Sequence, residues 1–396
     1  EKVDLVAITV ETFTARRAYE IADEFRKRKI PVILGGFHPT LLPEEALEHA
    51  DSIFLHDAEW MWPEVLIDLK ERKAIKQIYT SRAGIGQFPN FLPRRELFKG
   101  RGYLPITLMQ FGRGCPFKCN FCAISSFFDR QHYTRSVDEV VREIKTQKNR
   151  YVFFVDDNIV ANRAQSKELF KALIPLKIKW VSQGCIDMLE DKELMDLLVK
   201  SGCLGNVIGF ESINPVDLKL MGKASNLRRN LVENNKFDNY ESQINELKNY
   251  GLQTWAAFTL GHDWDSQESL VKTLDFALKH KFTFAAYNIL VPYPKTPLYE
   301  KLKEEGRLLY DGKWWLHPEY RFNYAAFKPK LMSADELTEG VFEIRKVWNS
   351  NWSVLKRFFD LRTNMRSVER MVIYWIYNSL FQKEVFKKQG MHFGIK

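Results

Sequence analysis

From residue 4 onward, short apolar runs alternate with amphipathic stretches of helical period. Such a chain cannot close into hairpins, because each strand must return over a helix before the next begins. That geometry imposes parallel pairing with helices on the sheet faces. "DLVAITV", "IPVILGGFH" and "DSIFLHD" read as the first three strands. Between them, "TARRAYEIADEFRKR" carries its apolar stripe at Ala18, Ile21, Ala22 and Phe25, and "PEEALEHA" is a second helix. "EWMWPEVLIDL" follows as a third helix. The pattern predicts a doubly wound α/β sheet over 1–80. In such sheets ligands sit beyond the carboxyl ends of the strands. Gly35 and Gly36 stand at one such end, where a missing side chain lets a ligand approach the backbone. A tight turn explains the pair equally well.

Residues 81–104 are rich in Gly, Pro and basic residues without period and read as a linker. From 105 the alternation restarts. Strands are predicted at 105–111, 151–156, 178–183, 205–210, 253–260 and 284–291, with helices near 136–148, 165–174, 190–200, 240–250 and 267–280. Six strand–helix units in series over 105–311 predict a partial parallel barrel, whose chemistry belongs at the carboxyl ends of its strands. The polar stretch 222–240 reads as an insertion. Residues 312–396 leave the pattern and predict an aromatic, helical C-terminal domain.

No run of about 18 apolar residues exists, so no membrane span is expected. The chain begins at Glu1 and enters a strand at once, which suggests that residues are missing upstream. The net charge is +9, and residues 346–396 hold ten Lys/Arg against three Asp/Glu. Trp348, Trp352, Leu355, Phe359, Met371, Trp375 and Ile376 lie on helical spacing in this tail. They read as the packing face of a helical cap or as a peripheral contact with an anionic membrane. They form no stacking platform for nucleic acid.

Five cysteines, three of them within "GRGCPFKCNFC", do not suit a secreted disulfide framework and point to a reducing cytoplasm. Cys115, Cys119 and Cys122 are spaced C-x3-C-x2-C after the first barrel strand. Structural zinc needs four closed ligands; His132 could supply a fourth, but no second Cys or His pair lies nearby. An iron–sulfur cubane held by three thiolates leaves one iron open to an exogenous ligand. S-adenosylmethionine (SAM) can chelate that iron through its amino and carboxylate groups. Cys185 and Cys203 lie apart from the triad and read as buried small hydrophobes.

C-x3-C-x2-C with Phe121 just before the last Cys resembles the signature of the radical SAM superfamily. The resemblance implies a [4Fe-4S] cluster on the three cysteines, SAM as cosubstrate and Phe121 beside the adenine. The other strand ends agree: Asp156, Asp157 and Asn158 after the second, Gln183 after the third, Glu211 and Ser212 after the fourth. Gly261 follows the fifth and Pro292 the sixth. By resemblance Glu211 would meet the ribose, and Asp156–Asn158 the methionyl end or the substrate. "LGGFHPTLLPEEALEHAD", "FFVDDN", "IGFESINP" and "PYPKTPLY" extend the similarity over roughly 4–345, to radical SAM enzymes with an N-terminal cobalamin-binding domain. Within them it resembles the branch of hopanoid and bacteriochlorophyll side-chain methylases. It implies cobalamin near Gly35 and Gly36, a hydrophobic substrate and a reductant such as flavodoxin or ferredoxin. The implied reaction is radical C-methylation. An oxidative cyclase, an isomerase, a C–C bond-forming enzyme and an electron-transfer protein are the alternatives. Two departures stand out. No Asp-x-His-x-x-Gly string supplies a histidine to cobalt, and nothing marks His38 or His56 for that role. Lys295 replaces the Gly of the related Pro-Gly-Thr-Pro.

Overall fold

The computed structural model describes residues 3–71, 73, 75–80, 92–98, 100–227 and 239–392. Residues 81–91 and 99 of the expected linker and most of the expected insertion (228–238) lie outside the described residues. Two parallel sheets organise the chain. The first contains β1 (Val6–Thr9), β2 (Val32–Gly35), β3 (Ser52–Leu55) and β4 (Ile78–Thr80), in that spatial order. β4 was not foreseen in the sequence. Each face of this sheet carries its own core. Val32, Leu34 and Ile53 pack with Ala18, Ala22 and Ala46 on one side; Ile33, Phe54 and Tyr79 pack with Val65 on the other.

The second sheet is the partial barrel. It contains β5 (Thr107–Met109), then, after a short ribbon, β8 (Tyr151–Phe154), β9 (Lys179–Gly184), β10 (Cys203–Glu211), β11 (Gln253–Leu260) and β12 (Phe284–Ile289). All neighbours are parallel and in chain order. The ribbon is β6 (Gly112–Gly114) paired antiparallel with β7 (His132–Thr134). The crossover helices begin where a side chain can accept an otherwise orphaned amide: Ser136 from Glu139, Asn162 from Gln165, Asp191 from Leu194 and Ser266 from Ser269.

Alternation along the strands separates two faces. Phe154, Trp180, Ile208, Phe210, Ala256, Phe258 and Tyr287 pack against the helices with almost no exposure. Phe153, Val181, Val207, Trp255 and Ala257 point the other way and are partly exposed. The barrel therefore has an accessible interior.

The C-terminal segment ties the two sheets together. Trp314 and Trp315 complete the first sheet's core, and Trp314 Nε1 donates to Pro292 O at 2.9 Å. The helix Ala334–Trp348 packs Leu337, Val341, Ile344 and Trp348 onto the barrel. It does not run on as the sequence suggests: Ser350 caps a new helix, Asn351–Phe358. Arg357 is fully buried, with its guanidinium carbon 3.7 Å from the Trp348 ring centroid. It donates to Phe282 O, Thr283 O, Trp348 O and the side chains of Ser353 and Asn378. The expected tail stripe divides. Trp348 enters the core, whereas Trp352, Leu355, Phe359, Trp375 and Ile376 are exposed. No helix among the described residues is long and apolar enough to cross a membrane.

Candidate active site

The three cysteines do not follow the first barrel strand directly. The β6–β7 ribbon intervenes and closes the neck of a loop that contains all three. Two acidic residues at the end of β8 hold that neck. Asp156 is fully buried and accepts the backbone amides of Phe111, at 3.0 Å, and Gly112. Asp157 accepts the amide of Gly114 at 2.9 Å. Burial raises the Asp156 carboxyl to about 7, opposed by those amides. Asp156 thus positions the loop, each of its oxygens accepting one backbone amide. Gly114 is required at the neck: its φ is +79°, and a Cβ there would lie 2.1 Å from Gln131 O.

A second clamp comes from the turn that ends the short helix Pro215–Leu220 after β10. Asn120 N donates to Met221 O at 2.9 Å, and Gly222 packs so closely that a Cβ would lie 2.5 Å from Lys118 O. From the barrel's last connection, Leu298 N donates to Asn120 O at 3.0 Å. The loop is thereby fixed from three elements.

Its three cysteines, like Cys185 and Cys203 elsewhere in the chain, are free thiols. Cys115 and Cys122 are partly exposed and Cys119 is buried. Burial pushes the Cys119 thiol up to about 12, Lys223 counteracts this, and Cys122, Glu211 and Cys115 add to it. Asn158 donates toward the Cys115 sulfur. Among the described residues no three His, Cys, Asp or Glu side chains converge on one metal-ion position. In a cubane each thiolate takes a different iron, so convergence on one point is not what a cluster needs. Three free thiols on a rigid loop, facing a buried cation, fit the group.

Phe121 and Cys122 open onto a cavity of about 530 Å³. Its other walls are Glu11, Thr12 and Phe13 beyond β1, Phe37 beyond β2, Thr259 and Asn288 near the ends of β11 and β12, and Tyr293, Tyr320 and Phe322. The carboxyl ends of both parallel sheets thus face one space beside the cysteine loop.

The family model described as the Radical SAM superfamily matches residues 109–277. The matched segment, which holds the cysteine loop and most of the barrel, is a radical SAM domain. Among curated relatives, the chain is 28% identical over 365 residues to bacteriochlorophyllide d C-12(1)-methyltransferase of Chlorobaculum tepidum, covering 89% of this chain and 76% of that protein. It is 26% identical over 377 residues to the anaerobic magnesium-protoporphyrin IX monomethyl ester cyclase of Cereibacter sphaeroides, covering 86% and 58%. Two solved structures share the fold. The cobalamin-dependent SAM radical enzyme OxsB, with aqua-cobalamin and SAM bound, superposes with a TM-score of 0.65 at 14% identity, over 96% of this chain and 63% of its own. The radical SAM methyltransferase TsrM from Kitasatospora setae, with cobalamin and a [4Fe-4S] cluster bound, gives 0.59 at 17% identity, over 77% and 65%. The chain thus spans just under two thirds of those structures.

The remaining expected residues of the radical SAM site divide into those that face the interior and those that shape it. Gln183 is partly exposed at the end of β9. Glu211 ends β10 at a register shift with φ +64°, a left-handed conformation that a side chain adopts at a cost. Its carboxylate lies 3.6 Å from Lys223 Nζ and also accepts from Thr259. Ser212 is buried and accepts the amide of Asn214, the residue that caps the next helix, Pro215–Leu220. Gly261 has φ +105°, and a Cβ there would meet Leu337 Cδ2 at 2.6 Å; it lets the Ala334–Trp348 helix approach the rim. Pro292 gives its carbonyl to Trp314. Gly36 has φ +101°, and a Cβ would lie 3.0 Å from Val10 O, so its close approach is to the neighbouring strand. A Cβ on Gly35 would lie 3.3 Å from Phe54 Cβ. Lys295 takes the conformation a glycine would favour, with φ +62°.

Lys223 is the residue that the sequence reading missed. Burial works against its charged form, but Cys185, Glu211, Cys119 and Cys115 outweigh that and hold the proton on. No local signal singled it out, since it sits in a polar stretch that looked like an insertion. Arg113, in β6, was missed too. Its guanidinium pairs with Asp57 at 2.9 Å and Glu59 at 2.7 Å, and Tyr133 of β7 donates to the same Asp57. These contacts fasten the cysteine-loop neck to the loop beyond β3. His38 is fully buried with Nε2 3.1 Å from Glu45, and neither it nor His56 lines the cavity. Cys185 and Cys203 are buried, as expected.

Proposed function

We propose that this chain is a cobalamin-dependent radical SAM methyltransferase acting on an unactivated carbon of a hydrophobic substrate. One observation carries the reading: the cavity at Cys122 and Phe121 is walled on one side by the carboxyl ends of β1 and β2 and on the other by those of β11 and β12. In parallel α/β sheets these are the ends that bind ligands. Cobalamin over the first sheet would therefore face SAM over the second across one shared space. The similarity to a bacteriochlorophyllide methyltransferase, and the fold shared with two cobalamin-bound enzymes, support it.

Cys115, Cys119 and Cys122 would hold the cluster. When bound, the cluster and cobalamin supply the electron that cleaves SAM and the methyl group that is transferred. The chain's own residues do the rest. Asp156 and Asp157 fix the loop, and Lys223 keeps a positive charge against the thiolates. Phe121 presents an apolar face for the adenine. Glu211, Thr259 and Asn288 offer acceptors and donors to the ribose hydroxyls and the methionyl ammonium. Phe13, Tyr293, Tyr320 and Phe322 keep water from the reacting centre. The reaction needs an external electron, so a flavodoxin- or ferredoxin-type reductant is the proposed partner, in the cytoplasm.

A second reading, oxidative cyclisation, is favoured by the similarity to a ring-forming enzyme. The test uses anaerobic, cluster-reconstituted protein. Hydroxocobalamin bands retained after desalting, beside the iron–sulfur absorbance, support methylation. Product mass decides: one added methyl group against loss of hydrogen. Iron–sulfur absorbance without retained cobalamin would overturn the proposal in favour of the second reading.

A further inference from the structure

The barrel interior continues well below the cysteine loop. A second cavity of about 450 Å³, almost entirely apolar, occupies its lower half. Phe153, Val181, Val207, Trp255 and Phe284 line it, and the helix Val368–Lys388 forms its floor through Ile373 and Tyr377. That helix is held under the barrel by contacts to four strands. Tyr151 donates to Glu369, Arg370 donates to Leu204 O, Gln253 donates to Arg370 O, and the Phe381 ring lies 4.9 Å from Trp255 and 5.5 Å from Phe284.

The strand register connects this chamber with the upper cavity. Trp255 pairs with Phe284, Ala257 with Ala286, and Thr259 with Asn288, all on the interior face. The first pair lines the lower chamber and the third lines the cavity at Cys122. Between them the interior is lined by Ala257, Ala286 and, in register on β10, Gly209. These are the smallest side chains available, and all three are partly exposed. At about 3.3 Å per residue, the step from Trp255 to Thr259 is about 13 Å. Parallel barrels of this kind are normally filled by branched side chains. Here the middle layer is open along β11 and β12, while on β10 the Glu211 carboxylate and Lys223 Nζ cover Gly209, where a Cβ would lie 2.2 and 3.5 Å from them.

Leu104, Val372 and Ile376, at one side of the lower chamber, are 49–50% exposed. The lower chamber thus has an apolar mouth, and the alanine layer of β11 and β12, beside the Glu211–Lys223 pair, offers a passage from it toward the cysteine loop.

We propose that this passage is a substrate subsite for a slender aliphatic or isoprenoid chain. The chain lies along the barrel axis with its reactive end at the Cys122 cavity. The proposal rests on the hydrophobic-substrate part of the reading above and adds the shape: a flat ring system is too wide for the alanine layer and would remain in the upper cavity. The charged residues of the lining, Lys179 and Glu369, leave most of the chamber wall apolar, as a partner of this chemistry needs.

The test is a binding measurement on the cluster-reconstituted chain. The probe is 11-(dansylamino)undecanoic acid, followed by its fluorescence under anaerobic conditions. Ala257→Phe and Ala286→Phe, on different strands, fill the middle layer. Each is expected to weaken binding at least tenfold while iron content stays at the parent level. The outward variants Trp352→Ser and Phe359→Ser are expected to bind like the parent. Equal binding by parent and both filled variants would overturn the proposal, as would loss of binding in the outward variants alone. Where a phenylalanine disturbs folding, Ala257→Leu replaces it. Crystals soaked in 12-bromododecanoic acid give an independent check: an anomalous bromine signal inside the lumen supports the subsite, and one only on the surface sinks it. None of these readouts depends on methyl transfer, so failure of the methylase reading would show separately in product mass.

Discussion

Asp156 offers the sharpest test of how the fold makes the site. It is fully buried, and its carboxylate serves the two amides at the base of the cysteine loop. Asp156→Ala would leave both N–H groups without an acceptor and without room for water to reach them easily. An unsatisfied buried donor costs about 1–3 kcal/mol, so the pair costs about 2–6 kcal/mol. A whole domain is stable by about 5–15 kcal/mol, and the loss here is concentrated at the loop neck. The barrel should therefore remain folded while the loop loses its fixed geometry. Iron and labile sulfide per chain, measured after reconstitution, should fall to less than half of the parent value. Thermal unfolding should shift down by several degrees. Asp156→Asn keeps one acceptor oxygen but turns an amide N–H toward a backbone N–H, so it should fall between the two. If Asp156→Ala binds iron like the parent and melts at the same temperature, the neck is not what holds the loop.

Other expectations follow from the same structure. Cys119→Ala should abolish both the iron–sulfur absorbance and SAM cleavage, whereas Cys203→Ala, deep in the barrel core, should cost stability but leave the absorbance intact in anaerobic spectra. Burial, reinforced by Asp265 and Asp263, raises Asp217 from 3.8 to about 7. A raised acid keeps its proton when folded, so its contribution is full below pH 3.8 and lost as pH rises toward 7. Asp217→Asn should therefore stabilise the protein by about 1–4 kcal/mol at pH 8, since each unit is about 1.4 kcal/mol, with the gain shrinking toward pH 5 in urea titrations. Removing the buried Arg357 guanidinium with Arg357→Met takes a donor from five acceptors, of which Thr283 O alone keeps the Asn378 amide. A loss of about 3–5 kcal/mol should release the C-terminal helices to limited proteolysis.

Much of this was legible because apolar periodicity and cap residues are local signals. The strand at 253–260 is Gln253–Leu260 in the structure, and the other barrel strands fall within a few residues of expectation. The cysteine triad was legible because its spacing is itself the chemistry. The three-residue strands β4, β6 and β7 were not, since three residues carry no readable period. Asp156 illustrates a different limit. A carboxylate at a strand end looks the same in sequence whether it faces a ligand or a backbone amide, and only the ribbon, folded back over it, decides. Lys223 depends on the same kind of information. Its worth comes from Cys115, Cys119, Cys185 and Glu211, which approach it from three other parts of the chain.

The architecture explains why the cysteine loop is also the joint between the sheets. Two parallel sheets with facing carboxyl ends would drift apart unless something fixed the gap, because the apolar cores lie behind each sheet rather than between them. Three sets of contacts span it. Arg113 and Tyr133 of the ribbon bind Asp57 and Glu59 beyond β3, and Phe37 stacks on Phe127 at 4.2 Å. On the far side, Trp315 and Lys313 both reach Glu45 of the first sheet's helix, at 2.9 and 3.0 Å, while Trp314 grips Pro292 at the barrel rim. The Glu45 carboxyl is partly desolvated, yet the surrounding His38, Trp315 and Lys313 hold it at about 2, so it stays charged across the physiological range. Each set of contacts ends on a residue within a few positions of the cysteine loop or the cavity wall. The width of the shared space is thus set by the same side chains that hold the loop. A cofactor on one sheet and a cosubstrate on the other could meet at a fixed separation without either sheet binding the other's ligand.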